Sequence, residues 1–89
     1  PSTEMKLDRS FVQRSTRDAA ARAILESSMA MAGKLDLRTV AEGVETEAEL
    51  QLMRELGFDD IQGYLIARPM PRDELVRWLR QSSGRAAVR

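Results

Sequence analysis

Leu37-Arg38-Thr39-Val40-Ala41-Glu42-Gly43-Val44-Glu45-Thr46-Glu47-Ala48-Glu49 is the stretch that decides the fold. Its first five residues, with β-branched Thr39 and Val40 at their centre, read as a strand that ends at Glu42-Gly43. Thr46 to Glu49 spells a full capping box, in which a hydroxyl and a carboxylate each satisfy a backbone donor at the start of a helix. Behind the box Leu50, Met53 and Leu56 recur at helical spacing with Leu52 beside them, and Gly57 stops the run. The unit is strand, loop, helix.

The same unit lies on either side. Upstream, Met5-Lys6-Leu7 reads as a brief strand followed by a polar stretch. Ser15-Thr16-Arg17-Asp18 is a capping-box pattern with Asp in place of the usual Glu, and it opens an alanine-rich helix over 18–32. Ala21, Ile24, Leu25, Ser28 and Ala32 fall on one face of that helix, and Gly33 reads as its left-handed C-cap. Downstream, Ile61-Gln62-Gly63-Tyr64-Leu65-Ile66 reads as a third strand, broken by Pro69-Met70-Pro71. Pro71 suits the first turn of a helix running to about Gln81, with Leu75, Trp78 and Leu79 as its apolar stripe. Residues 82–89, beginning Ser82-Ser83-Gly84, read as a flexible tail.

Strands alternating with helices imply right-handed crossovers and a parallel sheet, an α/β fold. Three such strands are too few to close a barrel, and each open edge presents unpaired backbone groups. The pattern is that of a piece of a larger sheet, either a (β/α)8 barrel or a doubly wound fold. The open edges lead us to expect a homo-oligomer.

Composition narrows the chemistry. The 89 residues contain no cysteine and no histidine, which removes disulfides, thiolate nucleophiles, imidazole acid–base chemistry and the commonest zinc ligands. Any metal must then be held by oxygen atoms, which favours Mg²⁺, Mn²⁺ or Ca²⁺. Fourteen basic and fourteen acidic side chains cancel, so a nucleic-acid polymer is not an expected partner. No apolar run approaches the length of a membrane span, and the first residues lack the character of a signal peptide. A cytoplasmic setting is the expectation.

In parallel α/β folds the chemistry gathers at the C-terminal ends of strands. The residues there are Lys6 and Asp8, then Glu42 and Glu45, then Gln62. Each has a plain structural reading. Lys6 can be a solvated strand-end lysine, Asp8-Arg9 a local ion pair, and Glu42 and Glu45 carboxylates favoured by the dipole of the next helix. Gln62 lies in a strand that should be buried, where an amide needs partners. Taken together, one ammonium, two carboxylates and one amide converge on one face if the strands are neighbours. That set suits phosphoryl chemistry with a hard cation.

These residues also resemble a known family. Met5-Lys6-Leu7-Asp8-Arg9-Ser10-Phe11-Val12 is similar to the K-[IL]-D-R-S-F-V segment of bacterial EAL domains. Val40-Ala41-Glu42-Gly43-Val44-Glu45-Thr46 resembles their A-E-G-V-E-T segment, and Gln62-Gly63-Tyr64 with Ala67-Arg68-Pro69 resembles their Q-G-Y…[AG]-[RK]-P segment. The resemblance implies that residues 1–81 are the last three βα units of a TIM-like barrel. It also implies a metal-dependent phosphodiesterase that linearises cyclic di-GMP to pGpG with Mg²⁺ or Mn²⁺ in bacterial signalling.

By motif, Lys6 matches the family's catalytic lysine near the attacking water. Glu42 matches the carboxylate that approaches the second metal and has been assigned the base role. Gln62 matches the amide bonded to that water, and Glu45 a carboxylate thought to anchor the loop after an earlier strand. Asp8 belongs to the same motif without a catalytic role. The glutamate-alanine-leucine signature and most metal ligands of the family have no counterpart in this sequence, and Asp59-Asp60 lies at the wrong end of its strand to replace them. The expectation is an active parent domain and an inactive isolated chain. The other reading is an EAL-like receptor or interaction module that binds cyclic di-GMP without cleaving it.

Overall fold

The computed structural model describes residues 3–64, 72–81 and 87–89, apart from the side chains of Leu75, Trp78, Leu79, Gln81 and Ala87. In chain order the elements are β1 (Glu4–Leu7), α1 (Arg9–Ser15), α2 (Ala19–Lys34), β2 (Arg38–Ala41), α3 (Glu47–Glu55), β3 (Asp60–Ile61), α4 (Arg72–Gln81) and β4 (Ala87–Val88). The sheet has the spatial order β1-β2-β3-β4. Every pairing is parallel: Lys6 lies opposite Val40, Val40 opposite Asp60, and Asp60 opposite Ala87. The expected parallel α/β sheet is present.

One face of the sheet carries the core. Leu7, Ala41 and Ile61 sit at one level of the ladder. They pack with Val12 of α1, Leu25 of α2, Leu50 and Met53 of α3, and the loop residues Val44, Phe58 and Tyr64. Because successive strand residues alternate faces, Lys6, Val40 and Asp60 lie on the face turned away from these helices.

The central unit forms as its sequence predicts. Thr46 Oγ1 accepts from the Glu49 N–H, and the Glu49 carboxylate accepts from the Glu45 and Thr46 N–H groups. At the other end Gly57, at φ 85°, lies between two closing bonds, from the Gly57 N–H to Arg54 O and from the Phe58 N–H to Met53 O. That is the expected left-handed stop.

Four local expectations in this part of the chain are corrected. The polar stretch after β1 is a helix, α1, whose Phe11, Val12 and Ser15 turn inward. The capping box read at Ser15 does not form, because Ser15 closes α1 and its hydroxyl donates to Val12 O. Asp18 caps α2 instead, accepting from the Ala20 N–H. Gly33 is not the C-cap either. The helix runs on to Lys34, and the left-handed residue is Asp36, at φ 55°. The Leu37 N–H to Ala32 O and Asp36 N–H to Gly33 O bonds close the turn around it, and a short aspartate is among the few side chains that tolerate this backbone. Ile24, expected on the buried face of α2, is exposed.

The third strand is shorter than read, covering Asp60–Ile61, with Gly63 turning the chain and Tyr64 already helical. The residues of that strand reading after Tyr64, the Pro69–Pro71 break and the Ser82–Gly84 segment lie outside the described residues, as does the packing of the Leu75, Trp78 and Leu79 side chains. Within the stretch expected to be flexible, Ala87–Val88 pairs with β3 as β4. The physical reason is the free edge of β3, whose ladder groups would otherwise lack backbone partners. Among the described residues no helix is long and apolar enough to cross a membrane.

Candidate functional site

The ladder continues one step past the strand ends. The Glu42 N–H donates to Leu7 O at 2.9 Å, and the Gln62 N–H donates to Ala41 O at 2.8 Å. Glu42 and Gln62 therefore keep the pleat alternation, two residues beyond Val40 and Asp60, and share their face with Lys6. Lys6 is exposed, while Glu42 and Gln62 are half-buried. The three side chains expected to form a site thus stand at the C-terminal ends of three adjacent parallel strands, on the side away from the helices.

Close backbone packing fixes the loops that carry them. The Val44 N–H donates to Gln62 O at 2.9 Å, joining the loop after β2 to the one after β3. Gly43 has φ 72°, and a Cβ built there would lie 2.6 Å from the Cβ of Arg9. Gly63 has φ 109°, and a Cβ there would meet Val44 O at 3.0 Å. Glycine at both positions is what lets the three loops touch.

Asp8 and Glu45 have separate tasks. Asp8 is the N-cap of α1: its Oδ1 accepts from the Phe11 N–H and from the Ser10 hydroxyl, both at 3.0 Å. These bonds hold its carboxyl below the ordinary carboxylate range, the backbone donor first and the hydroxyl second. The expected Asp8–Arg9 pair is replaced. Arg9 Nη2 lies 2.6 Å from Glu45 Oε1, and Gln13 Nε2 donates to the same oxygen at 3.3 Å. Arg9 and Gln13 did not stand out in the sequence because α1 read as a polar loop. Their separation of four residues after a capping aspartate is the signal that finds them.

Gln62 Nε2 donates to Asp60 Oδ2 at 3.4 Å. Asp60 is buried and also receives the Arg89 guanidinium. Burial pushes the Asp60 carboxyl up, but the hydrogen bonds from Arg89 and Gln62 and the charges of Arg89 and Arg38 outweigh it and hold the group below the ordinary range. Asp60 is thereby committed, as its position at the start of β3 suggests.

The fit to a metal is poor within this chain. Among the described residues no group of three acidic side chains could hold a cation, and the carboxylate nearest Gln62, Asp60, is taken up by Gln62 and Arg89. A cavity of about 280 Å³ lined by Met29, Asp36, Leu37, Thr39, Leu56 and Asp59 lies at the opposite, N-terminal end of β2, so it is separate from this constellation.

Comparison with known proteins bears on this arrangement. The sequence model of the EAL domain matches residues 1–69. The chain is 41% identical over 76 residues to the bifunctional diguanylate cyclase/cyclic di-GMP phosphodiesterase MucR of Pseudomonas aeruginosa, a match covering 85% of this chain and 11% of MucR. It is 38% identical over 77 residues to the probable cyclic di-GMP phosphodiesterase PdeN of Escherichia coli, covering 86% of this chain and 15% of PdeN. To the cyclic di-GMP phosphodiesterase RocR of Pseudomonas aeruginosa it is 42% identical over 71 residues, covering 80% of this chain and 18% of RocR. The solved MucR phosphodiesterase in complex with c-di-GMP superposes with a TM-score of 0.67 at 41% identity, covering 84% of this chain and 30% of that one. The chain spans less than a fifth of the length of these curated relatives.

Proposed function

The chain belongs to the EAL domain family, and from that premise we propose that it forms the closing βα units of a barrel that hydrolyses cyclic di-GMP to linear pGpG. The observation that carries this reading is the convergence of Lys6, Glu42 and Gln62 on one face at the C-terminal ends of β1, β2 and β3. In such a site Glu42 takes a proton from water, and the resulting hydroxide attacks phosphorus. The bond from phosphorus to the 3′-oxygen then breaks, that oxygen takes a proton from solvent while Glu42 returns its own to solvent, and the ring opens to pGpG. Gln62 orients the attacking water by hydrogen bonding, and the Lys6 ammonium offsets negative charge gathering on the phosphate. Glu45, which receives Arg9 and Gln13, is the carboxylate that in this reading anchors the loop after an earlier strand of the barrel.

Membership of the family implies a divalent cation, which we take to be Mg²⁺ or Mn²⁺. This chain offers it one carboxylate, Glu42, and no step above is routed through it. The remaining ligands belong to barrel strands outside this sequence, so the chain alone is inactive. A cytoplasmic setting accompanies this reading, and the isolated chain, with the edges of β1 and β4 open, self-associates. Among the described residues each of those strands pairs on one side only. The test is hydrolysis of cyclic di-GMP by the complete domain containing this chain, with Glu42→Gln as the comparison. Conversion to pGpG that collapses in the variant supports the proposal, and tight nucleotide binding without conversion in the unaltered protein assigns it to the receptors instead.

A further inference from the structure

Glu42 directly follows β2, so its aim depends on the ladder bond from its N–H to Leu7 O and on what holds Gly43, Val44 and Glu45. The Val44 N–H is fixed by Gln62 O, and the Glu45 N–H by the Glu49 carboxylate. The remaining hold comes from α1. The aliphatic stem of Arg9 fills the space where a Cβ on Gly43 would stand, with Cβ at 2.6 Å, Cγ at 2.9 Å and Cδ at 3.2 Å from that point. Its guanidinium then reaches Glu45 Oε1 at 2.6 Å. Gln13, one helical turn on, donates to the same oxygen, and Asp8 fixes the register of both by capping the helix. One side chain thus spans the loop from Gly43 to Glu45.

We propose that Arg9, backed by Gln13, is a positioning residue for Glu42: it clamps the Gly43–Glu45 loop onto α1 and so sets where the Glu42 carboxylate stands. The inference rests on the reading of Glu42 as the base. The Arg9 and Glu45 side chains are 63% and 37% exposed, so their contact adds little to folding stability. A loss of rate without a loss of melting temperature is therefore the signature of positioning, and a purely structural role would move both.

The geometry is tested first in the 89-residue chain. Arg9→Met, which keeps the stem and removes the charge, should shift the amide resonances of Gly43, Val44 and Glu45 and leave those of Asp59 and Asp60 in place. Unmoved loop resonances overturn the clamp. The consequence is tested in the complete domain with cyclic di-GMP as substrate. Arg9→Met should lower kcat by about 10- to 100-fold, the scale set by a misplacement of about 1 Å, with KM and Tm unchanged. Arg9→Lys should recover most of that rate. In a Glu42→Gln background Arg9→Met should cost nothing further, because both act at one group. An unchanged kcat in Arg9→Met, or an equal fall in the Glu42→Gln background, overturns the inference. Full turnover by Glu42→Gln alone instead overturns the functional reading beneath it, so the two failures are distinguishable.

Discussion

Replacing Gly43 with alanine adds one methyl group at the point where α1 meets the Glu42 loop. Two costs follow. The backbone at φ 72° is left-handed, which disfavours an L-residue by about 1–2 kcal/mol. The new Cβ also lies 2.6 Å from the Arg9 Cβ, which is fixed to the α1 backbone and cannot rotate away. Either the loop or the start of α1 must shift, and overpacking of this kind costs typically about 1–3 kcal/mol. Gly43→Ala should therefore destabilise the chain by about 2–5 kcal/mol, against a total of about 4–13 kcal/mol for a domain of this length. Gly33→Ala is the internal control. That glycine lies inside α2 and a Cβ there meets nothing within 4 Å, so the same chemical change should stabilise by about 0.5–1 kcal/mol. Urea unfolding followed by helical circular dichroism, at one protein concentration, measures both. The reasoning fails if Gly43→Ala unfolds within about 0.5 kcal/mol of the unaltered chain, the ordinary scatter of surface changes.

Other outcomes are equally specific. In the complete domain, Glu42→Gln should reduce turnover about 10²–10⁴-fold while sparing nucleotide binding, as expected for loss of a positioned base; steady-state kinetics beside calorimetric titration check it. Lys6→Ala should also lose most turnover, and normal rates would return that lysine to a solvated strand-end role. The Asp8 carboxyl is held low in the folded chain, so its contribution to stability is present above about pH 4, the unfolded carboxylate value, and is lost as pH falls through the lower folded value. Asp8→Ala should flatten the stability profile in that acid window, and an unchanged slope contradicts the cap. Sedimentation of the 89-residue chain at micromolar concentration should show dimers or larger species, and a monodisperse monomer refutes association through the strand edges.

Where periodicity and capping chemistry agree, the sequence was readable. Thr46 to Gly57 forms the helix that its capping box and apolar spacing specify, and β1, β2 and the start of β3 lie where short apolar runs placed them. The misreadings share a cause: each turned on a tertiary partner or a competing cap. In α1, charged and polar residues hide the single inward turn of Phe11, Val12 and Ser15, whose burial depends on α2 and the sheet. At the end of α2 a glycine drew the stop, yet Asp36 takes the left-handed position because two closing bonds converge on it. Neither β4 nor the Asp60–Arg89 pair was legible, since each requires knowing that the edge of β3 is open. For the candidate site, strand-end position brought out Lys6, Glu42, Glu45 and Gln62. Arg9 and Gln13 became visible only once α1 did.

The central claim is that Lys6, Glu42 and Gln62 are part of a phosphodiesterase site whose remaining groups lie on other strands of the barrel. The most direct measurement is the conversion of cyclic di-GMP to pGpG, with Mg²⁺ or Mn²⁺ present, by the purified 89-residue chain and by the complete domain side by side. The account predicts no conversion by the chain and steady pGpG formation by the complete domain. Metal-dependent turnover by the 89 residues alone, or none by the complete domain, would contradict it.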